Sequence, residues 1–97
     1  MANKIVRKDL WQQLNNIKKS KVWIMAAQEL GLNVTQPKGG SSHYALRFPG
    51  YENWDIRGLI CNVYDPVRKD ISEAIFKKLI EKGYKEDDIW KALKMLD

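Results

Sequence analysis

The sequence predicts an α+β fold, a three-stranded antiparallel sheet with helices packed on one face, in the order α-α-β-β-β-α-α. Apolar residues recur at helical spacing in the first third of the chain and again in the last third. Between these parts lie three extended runs joined by short turns, a pattern typical of an antiparallel meander. Because 97 residues suffice for one core only, we expect a single domain over 1–97. It comprises an N-terminal helical extension over 1–20, a core over 21–83 and a C-terminal helix over 84–97.

Two helices are predicted before the sheet. Asp9 is suited to cap the first and Ser20 the second, because both side chains can accept a hydrogen bond from a free N–H at a helix start. Gly31 stands where the second helix would end in a left-handed residue. The apolar positions are Leu10, Trp11, Leu14 and Ile17 in the first helix, then Val22, Trp23, Ala26, Ala27 and Leu30 in the second. The two stretches could also run together as one bent helix.

Three strands are predicted from alternation. Residues 32–35 alternate between apolar and polar, and a glycine- and serine-rich turn follows over 37–42. In the second strand the core face is assigned to Tyr44, Leu46 and Phe48, and the opposite face to His43, Ala45 and Arg47. A third extended run is predicted from about Ile56 to Tyr64. Since the helices must cover the apolar face, the opposite face is expected to stay open.

Two further helices follow the sheet. Asp70 and Glu73 have the spacing of a capping box, and Gly83 stands where this helix would end. Three acids over 86–88 precede the last helix and complement its dipole. The apolar positions are Ile71, Ile75, Phe76, Leu79 and Ile80, then Ile89, Trp90, Leu93 and Leu96.

The charge of the chain is unevenly distributed. The net charge is +5, made up of +6 in residues 1–50 and −1 in residues 51–97. A basic half of this kind is typical of a surface that binds a polyanion such as a nucleic acid, although it is also found on solvated surfaces without a ligand.

Cysteine content and hydropathy indicate the compartment. Cys61 is the only cysteine, so no internal disulfide can form and a reducing environment is expected. No run approaches the roughly 18 apolar residues of a membrane span, and the first eight residues lack the apolar centre of a signal peptide. We therefore expect a cytoplasmic protein with no membrane partner. Most of the four tryptophans and four tyrosines are expected in the core.

The segment from Lys21 to Gly83 resembles a known family. Its order of helix, three strands and helix, the run from Lys38 through Gly39, Gly40, Ser41 and Ser42 to His43, and the run Arg47-Phe48-Pro49 resemble the HicA family of toxin–antitoxin ribonucleases. The resemblance implies a fold like a double-stranded-RNA-binding domain and metal-independent cleavage of RNA by the histidine, here His43. It also implies a small acidic antitoxin-like partner.

The candidate site follows from these residues. Imidazole suits proton transfer at neutral pH, so His43 is the catalytic candidate as general acid or base. A solvated or structural strand histidine is the alternative. The candidate contacts to nucleic acid, RNA or possibly DNA, are Lys38, Gly39, Gly40, Ser41, Ser42, Arg47, Arg68 and Lys69. An ordinary hairpin turn and a solvated arginine are the alternatives for the turn and for Arg47.

Two functions are therefore expected from the sequence. The first is a metal-independent endoribonuclease of toxin type. The second is a non-catalytic module on the same fold, which binds nucleic acid or inhibits a partner and is encoded by a phage or mobile element. Asp65 and Asp70 are too isolated to hold a metal, so we expect no metal and no cofactor.

Overall fold

The computed structural model describes residues 7–36, 43–52 and 54–96. It is α+β, with a three-stranded antiparallel sheet and four helices, and the order of elements confirms the prediction. The helices are α1 (Lys8–Gln13), α2 (Ser20–Glu29), α3 (Lys69–Lys82) and α4 (Glu86–Ala92). The strands are β1 (Asn33–Thr35), β2 (Tyr44–Arg47) and β3 (Leu59–Val63), and short 3-10 turns cover Leu14–Asn16 and Ile56–Gly58. No described helix is long and apolar enough to cross a membrane.

The sheet has the order β1-β2-β3 with antiparallel pairs throughout. Leu46 pairs with Val34 on one side and with Cys61 on the other. The pairing shifts between Leu46 and Arg47, where β3 carries one extra residue. Helix α2 packs on β1 and β2, and α3 packs on β3. Leu46 and Phe48 are buried in the core as predicted, and Tyr44 is partly buried against it.

Aromatic side chains from all four helices pack in or against the core. Phe76 packs on Trp90 with ring centroids 4.4 Å apart and planes tilted by 36°, and it meets Trp11 edge-on at 5.5 Å. The buried Trp23 indole donates a hydrogen bond of 2.9 Å to Ser72 Oγ, which joins α2 to α3 and leaves neither polar group unpaired. The prediction that most aromatic residues are structural is confirmed for these side chains.

The first helix does not start as predicted. Helix α1 begins at Lys8, so Asp9 lies inside the first turn and no side chain caps the helix. Arg7 occupies the cap position, and its N–H donates to Glu86 Oε2 at 2.8 Å. The start of α1 is therefore held by α4, and Asp9 contributes through the helix dipole instead of a cap.

The capping box predicted for α3 is also wrong. The helix begins at Lys69 with Arg68 at the cap position, and no side chain caps it. Asp70 pairs with Arg68 at 3.2 Å, and Glu73 pairs with Lys69 at 3.9 Å. Because the helix starts one residue before the predicted cap, both acids lie within it and turn to neighbouring cations.

The helix ends agree better with the sequence. Gly31 has φ +80° and Gly83 has φ +110°, the left-handed conformation expected after α2 and α3. The third strand begins later than predicted, because Ile56–Gly58 forms a 3-10 turn and extended pairing starts at Leu59. Asp55 accepts a hydrogen bond from the N–H of Arg57, which stabilises that turn.

Candidate nucleic-acid interface

Long-range hydrogen bonds join the starts of α2 and α3. The N–H of Ser20, the first residue of α2, donates to Asp65 Oδ1 at 2.6 Å. The N–H of Val67 donates to the carbonyl of Lys18 at 2.8 Å. The segment before α2 therefore lies against the segment before α3, at the end of the sheet where β2 begins and β3 ends. We call this the helix-start end: residues 18–20, His43 and residues 64–69.

Ser20 was predicted to cap α2, but the cap comes from elsewhere in the chain. Ser20 is the first helical residue, and the Asp65 carboxylate accepts the hydrogen bond of its N–H. The backbone N–H of Ser20, its hydroxyl and the nearby Lys19 ammonium together hold the pKa of Asp65 below its usual value. The Asp65 carboxylate therefore stays charged over a wide pH range and fixes this end of the molecule.

His43 lies at the helix-start end and is exposed. Its ring stacks on Tyr64, with centroids 4.5 Å apart and planes 27° apart. The strand pairing of Ala45 with Asn62 continues to these two residues, so all four share the face away from the core. His43 and Asn62 are exposed on this face, but Ala45 between them is only 3% exposed. The face predicted to be open is therefore open at His43 and covered at Ala45.

Four cations surround this end. Lys18 and Lys19 are exposed and form no ion pair among the described residues. Arg68 and Lys69 are also exposed and lie where predicted, at the start of α3, but each pairs with a carboxylate of that helix. Exposed pairs of this kind contribute little, so an incoming phosphate can compete for both cations.

Arg47 lies elsewhere on the same face. It is the last residue of β2, four residues from His43, which at about 3.3 Å per residue separates them by roughly 13 Å. Its Nε donates to Thr35 Oγ1 at 3.3 Å. The structure therefore brings His43, Arg68 and Lys69 to one end of the sheet and places Arg47 toward the other.

The remaining predicted contacts lie outside the described residues. They are Lys38, Gly39, Gly40, Ser41 and Ser42. No group of three or more His, Cys, Asp or Glu side chains within the described ranges could hold a metal ion.

Three residues of the helix-start end were missed in the sequence. The sequence places Lys18 and Lys19 just before the second predicted helix and Tyr64 at the end of the third predicted strand. Their role depends on the register of β2 with β3 and on the Asp65 hydrogen bond, which pair residues far apart in the chain. A doublet of lysines just before a helix start is the one local signal that could have indicated them.

Comparison with protein-family models, with curated proteins and with solved structures found no match.

Proposed function

We propose that this chain binds RNA through the helix-start end. The observation that supports the proposal is the pair of hydrogen bonds from Ser20 to Asp65 and from Val67 to Lys18. They bring Lys18 and Lys19, which form no salt bridge within the described part of the chain, beside the start of α3 and beside an exposed aromatic pair. Cations and the start of a long helix both favour phosphate groups, and phosphate contacts supply most of the affinity for nucleic acids.

The carboxylates at this end do not cancel its positive charge. Asp65 is engaged by the N–H and hydroxyl of Ser20 and lies near Lys19, and Asp70 faces Arg68, so the two carboxylates offset only part of the charge of the four cations. Lys18 and Lys19 are exposed and form no salt bridge among the described residues, so both ammonium groups stay available to a ligand. These two lysines therefore provide the main test of the proposal.

The test is a titration of RNA affinity against salt. With about four phosphate contacts, the logarithm of the RNA binding constant should fall with the logarithm of the salt concentration at a slope near −3 to −4 for a duplex. The double substitution Lys18→Ala, Lys19→Ala should weaken binding and flatten the slope by about 1 for each lysine. A wild-type slope near zero would exclude RNA as the ligand.

A matched control removes the same charge elsewhere. Lys91 and Lys94 lie beside Glu29, at the far end of α2 from the helix-start end. The double substitution Lys91→Ala, Lys94→Ala lowers the net charge equally but should leave the slope near that of the wild type. Equal losses of RNA affinity in the two double variants would show that RNA binding depends only on net charge, and the proposed interface would be wrong.

A second candidate is the cleavage of RNA without a metal, as in HicA-type toxins paired with a small acidic antitoxin-like protein. The observation that favours it is the exposed His43 ring, positioned by its stack on Tyr64 beside the cations of the helix-start end. RNA cleavage through the 2′-hydroxyl needs a proton acceptor and stabilisation of charge on phosphorus. An imidazole beside phosphate-binding cations can provide the first.

The test for cleavage is incubation of RNA with the wild type and with His43→Ala in the presence of a chelator. Loss of general acid–base catalysis costs about 10² to 10⁴ in rate, so cleavage should fall by that factor while RNA affinity changes little. If the wild type leaves RNA intact, or if the variant cleaves equally well, the chain binds RNA without cleaving it.

A further inference from the structure

The loop between β2 and β3 is clamped by its own side chains. Asp55 accepts hydrogen bonds from the Arg57 guanidinium at 2.7 and 3.0 Å and from the Arg57 N–H at 3.0 Å. Tyr51 lies against Gly58 so closely that a Cβ there would be 2.5 Å from Tyr51 Cβ. Lys82 of α3 donates to Tyr51 Oη at 3.0 Å. The described residues of the loop are therefore held both by contacts with one another and by a contact with α3.

This clamped loop exposes two large apolar side chains. Trp54 is 81% exposed and Ile56 is 80% exposed, whereas Trp23 and Trp90 are buried. Burial of apolar surface stabilises a fold, so an exposed tryptophan on a fixed loop gains nothing from the fold itself. Both residues are available to a partner without any rearrangement of the loop.

A cleft lies beside Ile56. Its volume is about 260 Å³, smaller than the usual 300 to 1,000 Å³ of a small-molecule site and suited to a single apolar side chain. Besides Ile56, its lining includes Phe48 and Leu59 of the sheet side and Lys78 and Lys82 of α3. We call Trp54, Ile56 and these four lining residues the apolar loop surface.

Positive charge borders the cleft. Arg57 also lines it, but the bidentate pair with Asp55 neutralises that guanidinium. Lys78 and Lys82 then face only one lining carboxylate, Glu81. Lys82 is held over the rings of Phe48 and Tyr51 at 5.0 Å from each centroid, which fixes its charge at the rim. The border of the cleft is therefore complementary to a carboxylate.

We propose that the apolar loop surface binds an acidic segment of a partner protein. One apolar side chain of the segment enters the cleft beside Ile56 and contacts Trp54, while its carboxylates face Lys78 and Lys82. Tryptophan is enriched among the few residues that carry most of the affinity of a protein interface, and the rim of such interfaces is polar.

The charges and the lining argue against the other occupants. A second copy of this chain would bring the same lysines face to face across a two-fold axis, and the chain as a whole carries +5. RNA bases could stack on Trp54, but the cleft is lined by Ile56 and Leu59, whose aliphatic surface suits an apolar side chain better than a base. The apolar loop surface lies at the end of the sheet where β3 begins, and the helix-start end lies where β3 ends. A partner can therefore bind to one of these surfaces while the other is empty.

The test is NMR titration of the full chain with three synthetic peptides. The first combines glutamate with leucine, the second replaces each glutamate with lysine, and the third replaces each leucine with serine. Only the first should shift the indole N–H signal of Trp54 and the amide signals of Ile56 and Lys82. Trp23 and Trp90 are internal references, because their indoles are bonded to Ser72 and Glu86.

Two variants complete the test. Trp54→Ala should lower the affinity for the glutamate–leucine peptide by about ten-fold or more. Met25→Ser, which removes an apolar side chain 48% exposed on α2, should bind as the wild type does. No shift at millimolar peptide, or equal shifts with the lysine peptide, would overturn the proposal. The proposal would also be overturned if the Trp54 signal shifted on addition of RNA, or on raising the protein concentration without peptide. RNA or a second copy of the chain would then be the occupant.

Discussion

The two ends of the sheet are built by different kinds of contact. At the helix-start end, the Ser20–Asp65 hydrogen bond joins residues 45 positions apart, so this end exists only when the whole domain is folded. At the apolar loop surface, the Asp55–Arg57 and Tyr51–Gly58 contacts join residues close in sequence. The first end therefore depends on contacts between distant segments, whereas the second combines a locally held loop with side chains of α3.

The chemistry of the two ends differs as well. Carboxylates at the helix-start end cap a helix start or pair with a cation, and two lysines face solvent. At the apolar loop surface, lysines border an exposed tryptophan and isoleucine. Phosphate binding fits the first arrangement, and an apolar segment with carboxylates fits the second. A substitution at one end should therefore leave binding at the other unchanged.

The largest effect is expected from Gly58→Ala. The new Cβ would lie 2.5 Å from Tyr51 Cβ and 2.8 Å from Cγ, and these atoms are too close to the backbone to move freely. Overpacking of this kind costs about 1 to 3 kcal/mol in the free energy of unfolding, which urea denaturation measures. Affinity for RNA should stay unchanged in the folded variant, because the clash lies in the loop.

The double variant Tyr51→Gly, Gly58→Ala is the control for Gly58→Ala. Tyr51→Gly removes the Tyr51 Cβ together with the ring and so relieves the clash, and the two substitutions together should cost less than the sum of the single effects. Strict additivity would show that Gly58 matters for some reason other than its contact with Tyr51.

A smaller, pH-dependent effect is expected from Asp65→Asn. The amide oxygen can still accept from the N–H of Ser20, but the charge is lost. The pKa of Asp65 is lowered in the folded state, so its charge stabilises the fold above the unfolded-state pKa, near 4. That stabilisation is lost as the pH falls through the folded-state pKa. The variant should melt a few degrees below the wild type at pH 7.

The pH series decides whether charge is the cause. The difference in melting temperature should narrow steadily as the pH is lowered below about 4, since Asp65 of the wild type then becomes neutral too. Asp55 and Asp87 also have lowered pKa values, from hydrogen bonds to Arg57 and Arg7, but they are present in both proteins and cancel. A constant difference from pH 7 into acid would mean that the charge of Asp65 contributes nothing.

The sequence predicted those features that depend on local pattern. The order of elements followed from apolar spacing. The ends of α2 and α3 followed from Gly31 and Gly83, because glycine adopts the left-handed conformation at no steric cost. The exposure of His43, on the face of β2 away from the core, followed from strict alternation. Each of these needs only neighbours within a few residues.

The features that the sequence did not predict depend on distant partners. Asp9 and Asp70 have the right residue type for a cap, but Arg7 is held by Glu86, and α3 starts one residue early. Asp65 reads as part of a turn, and its role as the cap of α2 exists only in three dimensions. The stack of His43 on Tyr64 likewise needs the register of two strands. Hydrogen bonds between distant segments therefore account for most of what was missed at the candidate site.

The smallest effect is expected from Trp54→Ser. Replacing a tryptophan in a core by a small residue costs about 3 to 5 kcal/mol in the free energy of unfolding. Trp54 is 81% exposed and buries little surface, so its replacement should change the free energy of unfolding by about 0.5 kcal/mol or less.

Tyr51→Ser, three residues earlier in the same loop, is the matched control. Tyr51 accepts a hydrogen bond from Lys82 and packs on Gly58, so its loss should lower the urea midpoint clearly. If Trp54→Ser lowers the midpoint as much as Tyr51→Ser, Trp54 supports the loop, and its exposure is no sign of a partner. If the midpoint holds while the glutamate–leucine peptide no longer binds, Trp54 serves recognition and not the fold.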